Sequence, residues 1–315
     1  MLLPENKRRN IDEMTKKVMW IYGSPFSGKT TFANRFPEPL MLNTDGNIKF
    51  VDAPYIPIKD KVELVGRMTK KTFAWEIFKD VISELEKKDN SFKTIIVDLL
   101  EDAYEYCRLW VYDQMGITHE SDDMRAWDKV TVEFLSTLKR LMVLDYENII
   151  LISHEDTTKD IMKRGGDKLT AIKPNLRDKV ATKVAGMVDI VARVVADGDS
   201  RVLSFKTNEV IFGGGRLTTK TNEIPLDFDD FLAVYDEANK EAVASLNKAE
   251  TKENQTDNKV EEVKTEENVN MAFPGAVDDA DVAGLTEPSD APIPKEAPVV
   301  EEQPKTRTRK RRSEN

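Results

Sequence analysis

"WIYGSPFSGKTTFANRF", residues 20–36, joins an apolar run to a glycine-bounded turn and then to Lys29, Thr30 and Thr31. Gly23, four residues, and Gly28-Lys29-Thr30 fit G-x-x-x-x-G-K-[ST] at every defined position. Gly23 and Gly28 let the backbone turn tightly, so that the N–H groups of Ser24, Pro25-flanking Phe26, Ser27 and Gly28 through Thr31 can face phosphate oxygens. Lys29 is a point charge for the β- and γ-phosphates. The Thr30 hydroxyl is a ligand for Mg²⁺. The flanks agree with this reading: 17–22 is a short apolar strand, and 30–36 reads as the first turns of a helix stopped by Pro37. The stretch predicts a nucleotide site for ATP with Mg²⁺, built from Gly23 to Thr31.

The rest of the chain bounds what that site can serve. The 315 residues carry a net charge of −10, unevenly spread. Residues 241–315 hold a single aromatic, Phe273, and are rich in Glu, Asp, Pro, Ala and Val. Such a segment cannot bury enough apolar surface to offset its chain entropy, so a disordered tail is expected there, acidic to 304 and basic over "KTRTRKRRS" at 305–313. The expected organisation is an N-terminal extension at 1–15, one folded domain at 16–240 and the tail at 241–315. Cys107 is the only cysteine, which excludes an internal disulfide and a thiolate zinc site. The polar start "MLLPENKRRNIDE" and the lack of a long apolar run predict a protein of the cytoplasm with no membrane partner.

Strand and helix patterns alternate after the glycine loop. "PLMLNT" (39–44), "KTIIVDLL" (93–100) and "NIILISHED" (148–156) are continuous apolar runs, while 72–86, 101–115 and 124–145 have helical spacing. "YIPIKD" (55–60) is a short extended piece whose prolines suit an edge. Continuous apolar strands between helices predict an α/β fold with a mostly parallel sheet covered on both faces, and ligands at its carboxyl ends. Asp98 ends a strand in the manner of the acid that holds Mg²⁺ through water. Asp45, at the end of 39–44, is the favoured base to orient an attacking water, with Glu101 as the alternative. His154, ending 148–153, is placed to sense the γ-phosphate.

A concentration of cations follows: "DTTKDIMKRGGDKLTAIKPNLRDKVATK" (156–183), with Lys159, Lys163, Arg164, Lys168, Lys173 and Arg177 as candidate contacts to single-stranded DNA. The segment has no aromatic residue for base stacking, and a solvated surface loop is the other reading. Beyond it, 187–197 and 200–208 alternate as a strand hairpin, and 227–242 reads as a closing helix. Arg201, Lys206 and Arg216 are candidates for a charge given to a neighbouring subunit's nucleotide.

Taken in order, "GSPFSGKTT", "LNTDG", "IIVDLL", "ILISHED" and a basic loop resemble the RecA-type ATPase core. More narrowly they resemble the phage-encoded, shortened RecA-like ATP-binding proteins of single-strand annealing recombination. The resemblance spans about residues 16–238. It implies a RecA-like P-loop NTPase fold with a C-terminal β-hairpin region, and a DNA-dependent ATPase acting in the host cytoplasm. The family's catalytic carboxylate falls on Asp45, where RecA carries glutamate. Its residue coupling γ-phosphate to DNA falls on His154, and its DNA loop on about 156–176. It also implies a homo-oligomer, a single-stranded-DNA-binding protein as a further partner, and annealing or loading rather than full strand exchange.

Other classes use the same loop. A nucleotide or small-molecule kinase would close 159–183 as a lid with Arg164 and Arg177. A GTPase would need a base-reading Asn-Lys-x-Asp, which is absent. A nucleotide-gated scaffold would bind ATP without any response to DNA.

Overall fold

The computed structural model describes residues 16–158, 160–162 and 168–244. The expected N-terminal extension and all but the first four residues of the expected tail lie outside them.

In chain order, β1 (Lys17–Gly23) leads into α1 (Lys29–Ala33), then β2 (Pro39–Asn43) and β3 (Tyr55–Pro57). A hairpin of β4 (Lys61–Val65) and β5 (Met68–Thr72) precedes α2 (Ala74–Glu86) and β6 (Thr94–Asp98). Two helices, α3 (Leu100–Gln114) and α4 (Met124–Val143), separate β6 from β7 (Asn148–Asp156). Next come β8 (Asp160–Met162), β9 (Lys168–Thr170), β10 (Lys173–Pro174) and α5 (Asp178–Ala185). The chain continues through β11 (Ile190–Asp197), β12 (Ser200–Ser204), β13 (Gly214–Gly215) and β14 (Glu223–Pro225) to α6 (228–244).

The main sheet runs β14-β12-β11-β1-β7-β6-β2-β3. From β11 to β3 every neighbouring pair is parallel, while β12 and β14 add antiparallel strands at the other edge. This is the mixed α/β, mostly parallel P-loop fold expected from the continuous apolar runs. The period of two decides which side chain faces which layer. Trp20, Tyr22, Leu42, Val97 and Leu151 point to one face, under α2, α3, α4 and α5. Met19, Ile21, Met41, Ile96 and Ile152 point to the other, against Phe32, Phe36 and the α6 residues Phe231 and Tyr235. Each fully buried large apolar side chain contributes about 1.5–3 kcal/mol, so this two-sided burial is what fixes the strand register.

Local signals set the helix starts. Asp123 caps α4, its carboxylate accepting from the N–H groups of Arg125 (2.7 Å) and Ala126 (3.2 Å). At α2, Glu76 reaches back to the Phe73 N–H at 2.9 Å.

Two expectations are corrected, and one element was not expected. The helix after the glycine loop ends at Ala33 rather than Phe36, so it is a single turn with a weak dipole. Residues 61–72 form an unexpected hairpin turned at Gly66 (φ 66°), with Leu64 and Met68 largely exposed. Its strands bury nothing in the core, so apolar patterning gave no cue. The segment 156–183 is not one loop. Ile161 pairs with Leu169 in a β8–β9 hairpin, β10 pairs antiparallel with the end of β7, and buried Val180 and Val184 recur at helical spacing in α5.

Candidate nucleotide site at the strand ends

β1 delivers the glycine loop at the sheet's carboxyl edge. A side chain at Gly23 would run into the backbone oxygen of Val194 on β11, so strand packing itself requires glycine there. Ser24-Pro25-Phe26-Ser27 closes a turn through a 3.3 Å bond from the Ser27 N–H to the Ser24 oxygen. Phe26 has φ 65°, the left-handed value that the third position of a Pro-led type II turn demands and that glycine usually supplies. Its ring is 91% exposed. Gly28, at φ 96°, completes the turn into α1.

Lys29 is buried, and its Nζ donates to the oxygens of Gly23 (3.0 Å) and Ser24 (2.8 Å). Burial pushes its pKa down, against the opposing charges of Asp98, Glu101 and Glu155. The Thr30 hydroxyl donates to Asp98 Oδ2 at 2.8 Å, which joins the loop to the end of β6. Asp98 is 3% exposed, and its Oδ1 is buried without a hydrogen-bond partner among the described residues. Burial pushes Asp98 up to about 6; the Thr30 bond and Lys29 oppose this, and Asp45 and Glu101 add to it. A buried acceptor with an open lone pair beside a threonine hydroxyl is a donor set suited to a hard dication, so the residues present fit Mg²⁺.

The neighbouring strand ends add the rest. Asn43 pairs with Asp98 across β2 and β6, and Thr44 is bonded to the backbone of Leu99. Asp45 follows on the cleft wall, its Oδ1 accepting from Asn43 Nδ2 (2.7 Å) and the Asn47 N–H (2.8 Å). His154 lies directly across from Gly23 in the β1–β7 register. Glu101 Oε1 accepts from the His154 backbone N–H at 2.8 Å and lies 3.0 Å from its Nδ1. The cleft, about 510 Å³, is lined by Pro25, Phe26, Gly28 to Thr31, Asp45, Asp98 and His154, together with Asn47, Phe50, Val51, Leu99 and Arg201.

A protein-family model described as an AAA domain matches residues 15–217 of the chain. The chain belongs to the AAA-domain family. This AAA domain is 26% identical over 165 residues to the SPbeta prophage-derived uncharacterized protein YorG of Bacillus subtilis (strain 168). That match takes in 49% of this chain and 46% of the relative, so the chain spans about half of that relative's length. Among solved structures, the RadB recombinase crystal structure is similar at 12% identity and a TM-score of 0.32, over 62% of this chain and 82% of that one. A likeness at that level carries no argument.

Within the AAA domain, Lys29, Thr30, Asp45, Asp98 and His154 therefore meet at one cleft. The basic candidates do not all join them. Lys159, Lys163 and Arg164 lie outside the described residues, and Lys168 opens β9. The Lys173 side chain, 14% exposed, pairs with Asp178 at 2.5 Å. Arg177 lies over the Trp127 ring at 4.0 Å. Of the three cations considered for a neighbour's nucleotide, Lys206 pairs with Glu223 (2.8 Å) and Arg216 donates to the Gly186 oxygen (3.0 Å).

Sequence reading missed Glu155. Its carboxylate accepts from the Ser24 hydroxyl at 2.5 Å and from Arg193 Nε at 2.8 Å. Burial alone would raise its pKa, but these two bonds and the charges of Arg193 and Lys29 outweigh it and hold the carboxyl below its usual range. The residue stands next to His154 in "SHED", but nothing local says that it touches the glycine loop 131 residues earlier.

Proposed function

We propose that this AAA domain hydrolyses ATP and binds single-stranded DNA in an ATP-dependent way, for annealing or loading in phage DNA recombination or replication. The observation that carries the reading is the Thr30–Asp98 pair at 2.8 Å beside a buried Lys29, which is an arrangement for a metal-bound polyphosphate. Thr30 and, through water, Asp98 would hold Mg²⁺, which when bound offsets the charge on the transferred phosphoryl group. Lys29 exchanges the Gly23 and Ser24 oxygens for phosphate oxygens. Asp45 orients the attacking water and takes its proton. A bond forms from that water oxygen to the γ-phosphorus, and the bond to the β–γ bridging oxygen breaks, giving ADP and phosphate.

His154 is suited to report the γ-phosphate. Its neighbours Glu155 and Asp156 pair with Pro174 and Lys173 of β10, so a shift at the end of β7 reaches the basic segment through backbone hydrogen bonds. In this reading the grip on DNA falls on Lys159, Lys163, Arg164 and Lys168, with Lys173 and Arg177 supporting them. Assembly into a homo-oligomer and action beside a single-stranded-DNA-binding protein belong to the same proposal. The relative's prophage origin supports the phage setting.

The test is phosphate release by the purified full chain, with and without single-stranded DNA, beside Lys29→Ala. DNA should raise the rate, and Lys29→Ala should lower it on the order of 10²–10³-fold with an unchanged far-UV spectrum. ATP binding with hydrolysis indifferent to DNA would move the assignment to a phosphate-acceptor kinase or a nucleotide-gated scaffold.

A further inference from the structure

The sequence offers Arg201, with Lys206 and Arg216, as a charge for a neighbouring subunit's nucleotide. Its position suits its own. A methyl group added at Gly28 would lie 3.3 Å from Arg201 Cδ and 3.6 Å from its Nε, so the side chain lies against the glycine loop of the same chain. Arg201 lines the cleft together with Lys29, Thr30 and Thr31. Other nearby cations are committed elsewhere: Arg193 to Glu155, Lys206 to Glu223 and Arg35 to Asp227. Among the described residues Arg201 has no such carboxylate partner.

Its backbone is firmly held. Arg201 is on β12, opposite Ala196 of β11, and its oxygen accepts from the Leu226 N–H at 2.9 Å. Leu226 also packs against Gly28, with its Cδ2 3.3 Å from the same added methyl. A guanidinium carried on a strand beside the loop that turns into Lys29 has the fork geometry to meet two phosphate oxygens at once.

We propose that Arg201 is a nucleotide-binding residue acting in cis, gripping the diphosphate portion that ATP and ADP share. The proposal rests on the nucleotide reading of the cleft. It also explains why Gly28 has two reasons to lack a side chain: its left-handed φ, and the room that Arg201 and Leu226 occupy beside it.

The experiment measures affinity for ATP, ADP and inorganic pyrophosphate by competition with a fluorescent ADP analogue. It compares wild type, Arg201→Ala and Arg201→Lys. Loss of a charge-assisted contact should weaken all three ligands about tenfold in Arg201→Ala, with partial recovery in Arg201→Lys. Arg201→Ala is then mixed with Lys29→Ala, whose protomers keep Arg201 but lack a working loop. Binding in cis predicts no recovery of hydrolysis on mixing. Unchanged affinities, weakening of ADP without pyrophosphate, or recovery on mixing each overturn the proposal; the second would put Arg201 on the base, and the third would make it a donor in trans. If wild type binds none of the three ligands, the nucleotide reading itself fails, and this inference with it.

Discussion

The nucleotide cleft and the basic segment after β7 are joined end to end, yet they are built in opposite ways. In the cleft, charged groups stand at strand ends and helix starts, buried or half-buried, and bonded to backbone or to neighbouring side chains: Lys29, Asp98, Glu101 and Glu155 all have fixed partners. In the segment, the described cations sit on small elements, Arg177 and Lys179 exposed and Lys173 half-buried. Lys173 is matched by Asp178, and Arg177 by an aromatic face. The difference teaches where charge does chemistry and where it supports structure. A desolvated charge interacts strongly and shifts its own pKa, while an exposed pair contributes on the order of 0–1 kcal/mol. The cleft should therefore respond sharply to single substitutions and the described part of the segment weakly.

The sharpest test of that contrast is Asp98→Asn. Asp98 has a folded pKa of about 6 against an ordinary 3.8, so between these values the folded protein binds more protons than the unfolded one. Stability then falls as pH rises through that window, and the full cost of the buried charge is present above about 6. That cost is on the order of 3 kcal/mol. In EDTA at pH 7.5 the variant should melt several degrees higher than wild type, at about 2–4 °C per kcal/mol. It should also lose Mg²⁺-dependent hydrolysis. A lower melting temperature for the variant would mean that Asp98 is not a costly buried charge, and the contrast would fail at its strongest point.

Glu155→Gln sharpens the comparison at the boundary between the regions. Weakening the bonds to Ser24 and Arg193 should loosen the glycine loop and raise the KM for ATP by about tenfold, with a smaller change in kcat. A change in kcat alone would argue that Glu155 acts on the reacting group rather than on the shape of the loop.

The smallest expected effect is that of Arg177→Ala. Losing the contact with Trp127 should cost about 0.5–2 kcal/mol of stability and leave DNA affinity within about twofold. The double variant Lys163→Ala/Arg164→Ala should instead lower the slope of log affinity against log salt by about two, with the melting temperature unchanged. The reverse pattern would make Arg177 the DNA contact and erase the distinction between the regions.

Much of the fold is legible in the sequence, and particular residues show why. Met19 to Tyr22, Ile95 to Val97 and Ile149 to Ile152 are buried on both faces of the sheet, so each run is apolar throughout and announces a central strand. The turn from Gly23 to Thr30 is equally local, since every residue type in it answers to the geometry of a few adjacent bonds. The β4–β5 hairpin was illegible because its strands bury nothing, and α5 because Lys179 and Lys183 continue the basic character of the segment and mask Val180 and Val184.

The amino-acid sequence by itself determined that the chain has a phosphate-binding loop at the end of a buried strand, and that acids and a histidine end the strands that follow. Only the tertiary structure decided which of them meet. Sheet order sets His154 beside Gly23 and within reach of Glu101, sets Glu155 on Ser24, and brings Arg201 against Gly28. These contacts join residues that are 53 to 173 positions apart (154 − 101 and 201 − 28). No local pattern encodes them, because the order and register of strands follow from how two apolar faces are buried at once.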